Sequence, residues 1–300
     1  MTDRRAVSPP SLRHLVVCVD DFGMNDGVNQ AVLALLALGR ISAVSCLVDG
    51  PAWQAGAQAL RQAVQGPDGA LADVGLHLNF TDWLDGAAQA GAPRCELGAL
   101  IWRCYGRRWH KADLVREIDR QWGRFEAVWG RAPDFVDGHQ HVHQLPQIRD
   151  ALAQVLQRRL SAGLSPHLWL RQCRSPGWRG WRAGINTSDT VKAAVIAALG
   201  SSRIGQMARR LGLRHSQRLL GVYPFDADAA GYLRRWQTWL ALAAQQGDVL
   251  MCHPAAPLTR EQGVSDVIAA SREMEFAVLR SAALGQLLRD GGVHIGRFGS

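Results

Sequence analysis

The chain has 300 residues, 47% of them hydrophobic, which is enough to bury one large α/β core or two small ones. Its net charge of +8 rests on 34 basic residues, all arginine except Lys111 and Lys192, yet no helix-turn-helix, RNP or zinc-finger pattern accompanies that charge, so a nucleic-acid partner is not expected. No apolar run approaches the ~18 residues of a membrane span, and six cysteines at irregular spacings, with no CxxC pair, argue for reduced thiols in a cytoplasmic compartment rather than a disulfide framework.

The first twelve residues, polar and carrying Pro9 and Pro10, lack the apolar core of a signal peptide and read as a disordered tail; residues 13–300 read as one domain without a linker. Val16 to Val19 form a continuous apolar run suited to a strand buried on both faces, and the run stops at two adjacent carboxylates, Asp20 and Asp21. A helix follows to Gly39, then a strand at "ISAVSCLVDG", a helix opened by Pro51, and a strand at "DVGLHLNF". Residues 79–110, rich in glycine and tryptophan, read as an irregular loop or lid over a site. Next come a long helix closed by Gly130, a strand at "PDFVDGHQH", and a helix from Pro146. Strand candidates at "HLWLRQ", "LLGVYP", "DVLMCHP" and "GVHIG" complete the alternation, and Arg203 to Arg218 reads as an amphipathic helix with a solvated basic face, where a peripheral membrane contact stays open. About seven parallel strands alternating with helices predict an α/β fold, a single-domain distorted (β/α) barrel, with an open doubly wound sheet as the alternative. No GxGxxG or GxxxxGK[ST] follows a strand, which lowers a nucleotide-binding reading.

Chemistry-bearing residues gather at strand ends. Asp20 and Asp21 end the first strand, His77 the third and Asp137, His139, His141 and His143 the fourth. Arg171 and His253 end later strands. Parallel strands point these ends toward one mouth, the place where barrel enzymes build active sites. One carboxylate with two neutral imidazoles suits a borderline divalent ion and leaves positions open for water and substrate. Neighbours on an extended strand point to opposite sides, so one aspartate is expected to coordinate and the other to act. His139, at the strand end, is the expected ligand of its motif, with His141 and His143 behind it or at the substrate and Asp137 holding an imidazole tautomer.

Four segments in order, "VDDFGMNDGVNQAV", "GLHLNFT", "DGHQHVHQLPQI" and "MCHPA", resemble the YdjC-like (ChbG/HpnK) carbohydrate deacetylases, relatives of the NodB-type polysaccharide deacetylases. The resemblance spans residues 15 to about 255 and implies a distorted (β/α) barrel. It implies that Asp21, His77 and His139 bind one divalent ion, magnesium or zinc before manganese or cobalt, that Asp20 is the general base, that His253 is the general acid and that Arg171 orients Asp20. The implied substrate is an N-acetylated amino sugar, either a chitooligosaccharide or a lipid-linked N-acetylglucosamine, and a homodimer stays open. Gln140 stands where some relatives carry histidine, and residues 172–218 align only loosely. Trp122 and Trp129, seven apart, read as core, whereas Trp83, Trp102, Trp109, Trp178 and Trp181 are open to sugar stacking or loop packing. Two rivals remain: a non-haem iron oxygenase, which shares the two-histidine, one-carboxylate set, and a non-catalytic glycan-binding barrel.

Overall fold

A computed structural model describes residues 13–67, 69–82, 93–165, 167–243, 247–258 and 266–299. The expected tail at 1–12 and Trp83 lie outside them. The first strand, β1 (Arg13–Phe22), is buried along nearly its whole length, with Val17 and Val19 in the cluster that holds the helices and Val16 and Cys18 in a second cluster with Phe135 and Trp169. It leads into α1 (Asp26–Ala37), whose N-terminus is capped by Asn25 accepting from the Val28 N–H at 2.9 Å. β2 (Ala43–Cys46), α2 (Trp53–Ala63), a small hairpin of β3 (Gln65–Gly66) and β4 (Gly69–Ala70), and β5 (Asp73–Leu78) follow. After α3 (Leu97–Tyr105) and α4 (Lys111–Trp129), β6 (Phe135–Gly138) runs into a tight turn at His139–Gln144 and then α5 (Pro146–Ser161). β7 (Trp169–Leu170), α6 (Trp178–Arg182), α7 (Thr187–Ala198), α8 (Ser201–Arg210), β8 (Arg214–His215) and β9 (Leu219–Leu220) form the middle. α9 (Ala229–Leu242), β10 (Val249–Cys252), α10 (Ala269–Leu279), α11 (Ala282–Asp290) and β11 (Val293–Ile295) complete the chain.

Nine strands make one sheet in the order β8-β7-β6-β5-β2-β1-β10-β9, with β11 pairing the start of β1. All these pairings are parallel. Taken from β1 to β10, the strands follow one another in chain order around a curled wall that ends at β8 on one side and β9 on the other, which is a distorted (β/α) barrel with one open seam. Across that seam the Leu219 N–H of β9 donates to the carbonyl of Arg174, beyond β7, at 2.9 Å. Every strand segment read from the sequence is present. Two expectations need correction. The 79–110 stretch contains α3, whose Leu100 and Cys104, one turn apart, are buried against the core. The basic helix ends at Arg210 rather than running to Arg218, because Gly212 adopts φ +68 and the chain turns into β8.

Aromatic stacking closes the base of the barrel. Phe135 stacks on Trp169 with ring centroids 4.3 Å apart, and Trp169 stacks on Phe298 at 4.6 Å. Gly75 in β5 makes room for this: a Cβ there would lie 2.5 Å from three Phe135 ring carbons. Gly75→Ala is therefore expected to destabilise the fold by about 1–3 kcal/mol through overpacking. Thermal unfolding measures it, and an unchanged midpoint would show that the Phe135 stack yields freely. Trp122 and Trp129 are core residues of α4, as their spacing predicts. All six cysteines are free, and all but Cys95 are buried. No helix among the described residues is long and apolar enough to cross a membrane.

Candidate active site

A backbone irregularity places the two aspartates. The pairing of β1 with β2 shifts register between Val19 and Phe22, and Asp21 adopts φ +70, a left-handed conformation uncommon outside glycine. This break in the strand overturns the expectation that the carboxylates face opposite sides. Both reach one buried pocket, Asp21 toward His77 and His139 and Asp20 toward Arg171 and His253.

The "HQHVH" segment distributes its histidines by the same means. β6 stops at Gly138, and Gln140 and His141 take φ of 50 and 60, so the chain folds back instead of continuing as a strand. Gly138 permits the fold-back, since a Cβ there would lie 2.9 Å from the His143 nitrogen. His139 consequently enters the Asp21 cluster. His143 goes fully under the wall, donating from Nε2 to the Arg171 carbonyl at 2.8 Å, and burial pulls its pKa down to about 4. His141 sits beside Cys173, its Nδ1 3.6 Å from the sulfur, and burial holds it well below the ordinary imidazole range.

Asp21, His77 and His139 each offer one ligand atom, and those atoms lie within 4.8 Å of one another. His139 Nδ1 is 2.8 Å and His77 Nε2 is 3.4 Å from the same oxygen, Asp21 Oδ1. Behind His77, its Nδ1 is 2.7 Å from Asp137 Oδ1, to which the Ser45 hydroxyl donates at 2.5 Å. Burial disfavours the charged rings, but the carboxylates prevail: Asp137, Asp20 and Asp21 push His77 up to about 10, and Asp21 and Asp82 push His139 up to about 9. Against the same burial, His139 and Arg272 hold Asp21 well below the carboxylate range. Positive charge thus converges on Asp21 Oδ1 from two sides. A hard or borderline divalent ion fits such a donor set of one carboxylate oxygen and two imidazole nitrogens.

Arg171, wholly buried, clamps the other aspartate. Its guanidinium donates to both Asp20 oxygens at 2.6 Å and lies 2.7 Å from Asp137 Oδ2. Burial would raise the Asp20 pKa, but Arg171 outweighs it and keeps the carboxyl ionised. His253 Nε2 stands 3.9 Å from Asp20 Oδ2, and burial draws its pKa down to about 4. Its ring also meets Phe225 edge-on at 5.3 Å.

Four residues of the site escaped the sequence reading. Arg272 from α10 donates to Asp21 Oδ2 at 2.7 Å, and Glu275, one turn on, accepts the His253 N–H at 2.6 Å and the Tyr223 hydroxyl at 2.6 Å. Burial raises Glu275 to about 7. Ser45 and Asp82 complete the set. Arg272 and Glu275 carried a usable signal, three positions apart on the helix face that Phe276 and Leu279 occupy, whereas Ser45 and Asp82 sit in contexts that any strand or turn supplies. Of the tryptophans open to stacking, Trp109 packs against the core, while Trp102, Trp178 and Trp181 are exposed, with Arg108 over the Trp102 ring at 4.0 Å and Arg182 over the Trp178 ring at 5.3 Å.

A parallel barrel with acids, imidazoles and an arginine at the carboxyl ends of its strands has the architecture of a barrel enzyme. The particular family follows from comparison: the profile of the YdjC-like protein family matches residues 14–290, and the chain belongs to that family. A chitooligosaccharide deacetylase of Enterobacter sp. (strain 638) is 31% identical over 207 residues, covering 65% of this chain and 80% of that one. One from Serratia marcescens is 32% identical over 140 residues, spanning 45% of this chain and about half of its own length, 52%. Among solved structures, a crystal structure of an Enterococcus faecalis V583 protein superposes with a TM-score of 0.65 at 18% identity, covering 96% of this chain and 98% of that one, which speaks for the fold alone.

Proposed function

We propose that the protein is a divalent-metal-dependent carbohydrate N-deacetylase, which hydrolyses the acetamide of an N-acetylated amino sugar and releases acetate. The observation that carries this reading is the convergence of Asp21, His77 and His139 beside two further groups, Asp20 and His253, that suit proton transfer. The names of the curated relatives favour a chitooligosaccharide as the first substrate to try.

Asp21, His77 and His139 would hold a divalent ion, which would supply Lewis acidity toward a water molecule and the amide carbonyl oxygen. Asp20 accepts the proton of the attacking water. The Arg171 clamp aims the carboxylate and keeps it charged. His253, on the other side, delivers a proton to the departing sugar nitrogen so that it leaves as an amine. Burial keeps the resting ring neutral, so the proton it donates must first reach it, and Asp20 Oδ2, 3.9 Å from its Nε2, holds the one taken from water. Glu275 on its backbone N–H and Arg272 on its carbonyl, at 3.4 Å, fix where the ring stands.

The protonation of the cluster gives a direct check of the ligand set. With His77 and His139 lifted to about 10 and about 9, both rings are charged at pH 7 in the metal-free chain. Ion uptake must displace the inner proton of each, so about two protons should leave per ion bound and apparent affinity should fall as pH drops. Calorimetry in buffers of different ionisation enthalpy counts them; a count of zero would show that both rings are already neutral before the ion arrives.

The function itself is tested by screening acetate release from chitooligosaccharides and other acetylated amino sugars, with chelator and with divalent ions added back. Release that chelator abolishes and metal restores is the expected result. No release from any of them would favour a glycan-binding barrel, and iron-dependent oxygen uptake would favour an oxygenase.

A further inference from the structure

We propose that Asp82 is a positioning residue of the metal centre, fixing the His139 ring so that Nδ1 carries the lone pair offered to the ion; the inference rests on the metal reading above. The two imidazoles of the cluster are wired alike but in opposite senses. His77 turns Nε2 inward to Asp21 Oδ1 and rests Nδ1 on Asp137 at 2.7 Å. His139 turns Nδ1 inward to Asp21 Oδ1 at 2.8 Å and rests Nε2 on Asp82 Oδ2 at 2.9 Å. An N–H donated outward to a carboxylate leaves the other nitrogen of a neutral ring as the ligand atom, and the carboxylate raises its basicity. Asp137 does this from a fully buried strand, whereas Asp82 does it from a loop with its side chain 37% exposed.

That loop is built to hold its position. The Asn79 side-chain oxygen accepts the N–H groups of Thr81 and Asp82, both at 3.0 Å, and its amide donates to the Asp82 carbonyl at 2.9 Å. Arg94 donates to the same carbonyl at 2.9 Å. Asn79 is anchored in turn to α4, where the Gln121 side chain accepts from its N–H at 2.9 Å and donates to its carbonyl at 2.7 Å. Asn79 and Gln121 are both buried. A solvated turn aspartate needs no such frame; a carboxylate that must meet one imidazole nitrogen does.

The test compares the full-length wild type with Asp82→Ala and Asp82→Asn after removal of metal by chelator. Zn²⁺ and Co²⁺ affinities are read by competition with a chromophoric chelator, alongside the visible spectrum of the Co²⁺ form and the melting temperature of each metal-free chain. Asp82→Ala should weaken metal binding by about 10–100-fold and alter the Co²⁺ spectrum. Asp82→Asn, whose amide oxygen still accepts the Nε2–H, should recover part of that loss. Wild-type affinity and an unaltered Co²⁺ spectrum in Asp82→Ala, whatever its melting temperature, would overturn the inference while leaving the metal reading intact. A wild-type chain that takes up no divalent ion would overturn both.

Discussion

Asp20→Asn is expected to lower turnover by roughly 10²–10⁴-fold while the protein keeps its metal, and His77→Ala is expected to lose the metal itself. The two substitutions separate neighbouring tasks within one pocket. Asp20 lies against Arg171 and near His253 and is not among the three grouped ligand atoms, so neutralising it removes a proton acceptor worth about 3–5 kcal/mol of barrier without opening the ion site. Arg171 holds Asp20 below the usual carboxylate range, so the base stays ionised through mildly acidic pH and should contribute no acid limb there to the rate profile. His77 contributes Nε2 to the cluster and is the ring that Asp137 and Ser45 support. Metal analysis of the purified variants decides the matter: equal depletion in both would refute the division of labour between the aspartates.

Arg171→Met should destabilise the fold by about 3–5 kcal/mol, because it leaves Asp20 and Asp137 as buried carboxylates without their shared cation. For a chain of this size that corresponds to a fall of roughly 5–8 °C in melting temperature. The guanidinium is completely buried and its own carbonyl is held by His143, so water cannot replace it readily. The loss should shrink as pH is lowered and Asp20, buried without the Arg171 charge, takes up a proton more readily. Thermal unfolding at pH 7 and pH 5 reads this, and a variant as stable as the wild type at pH 7 would show that the buried pair needs no counter-charge.

Arg171 also shows how far the motifs could be read. The run "LWLRQ" announces a buried strand ended by a charge, and a buried arginine must find carboxylates. Which carboxylates it finds is a matter of barrel winding, since 151 positions separate it from Asp20. The same holds for Arg272, 251 positions from Asp21. The opposite case is the Asp20–Asp21 pair, where strand alternation predicts opposed side chains and a single left-handed residue makes them neighbours.

Taken alone, the amino-acid order determined the alternation of strands and helices, the parallel barrel it implies, and the placement of acids and histidines at strand ends, because hydrophobic period and turn chemistry are local properties written residue by residue. Only the tertiary structure decided which of those groups meet: that Asp21 Oδ1 is shared by His77 and His139, that Asp137 and Asp82 stand behind the two rings, and that α10 returns Arg272 and Glu275 to the mouth. Those meetings depend on the closing of the sheet and on the left-handed backbone at Asp21, Gln140 and His141, and these are imposed by long-range packing that no short stretch of sequence encodes.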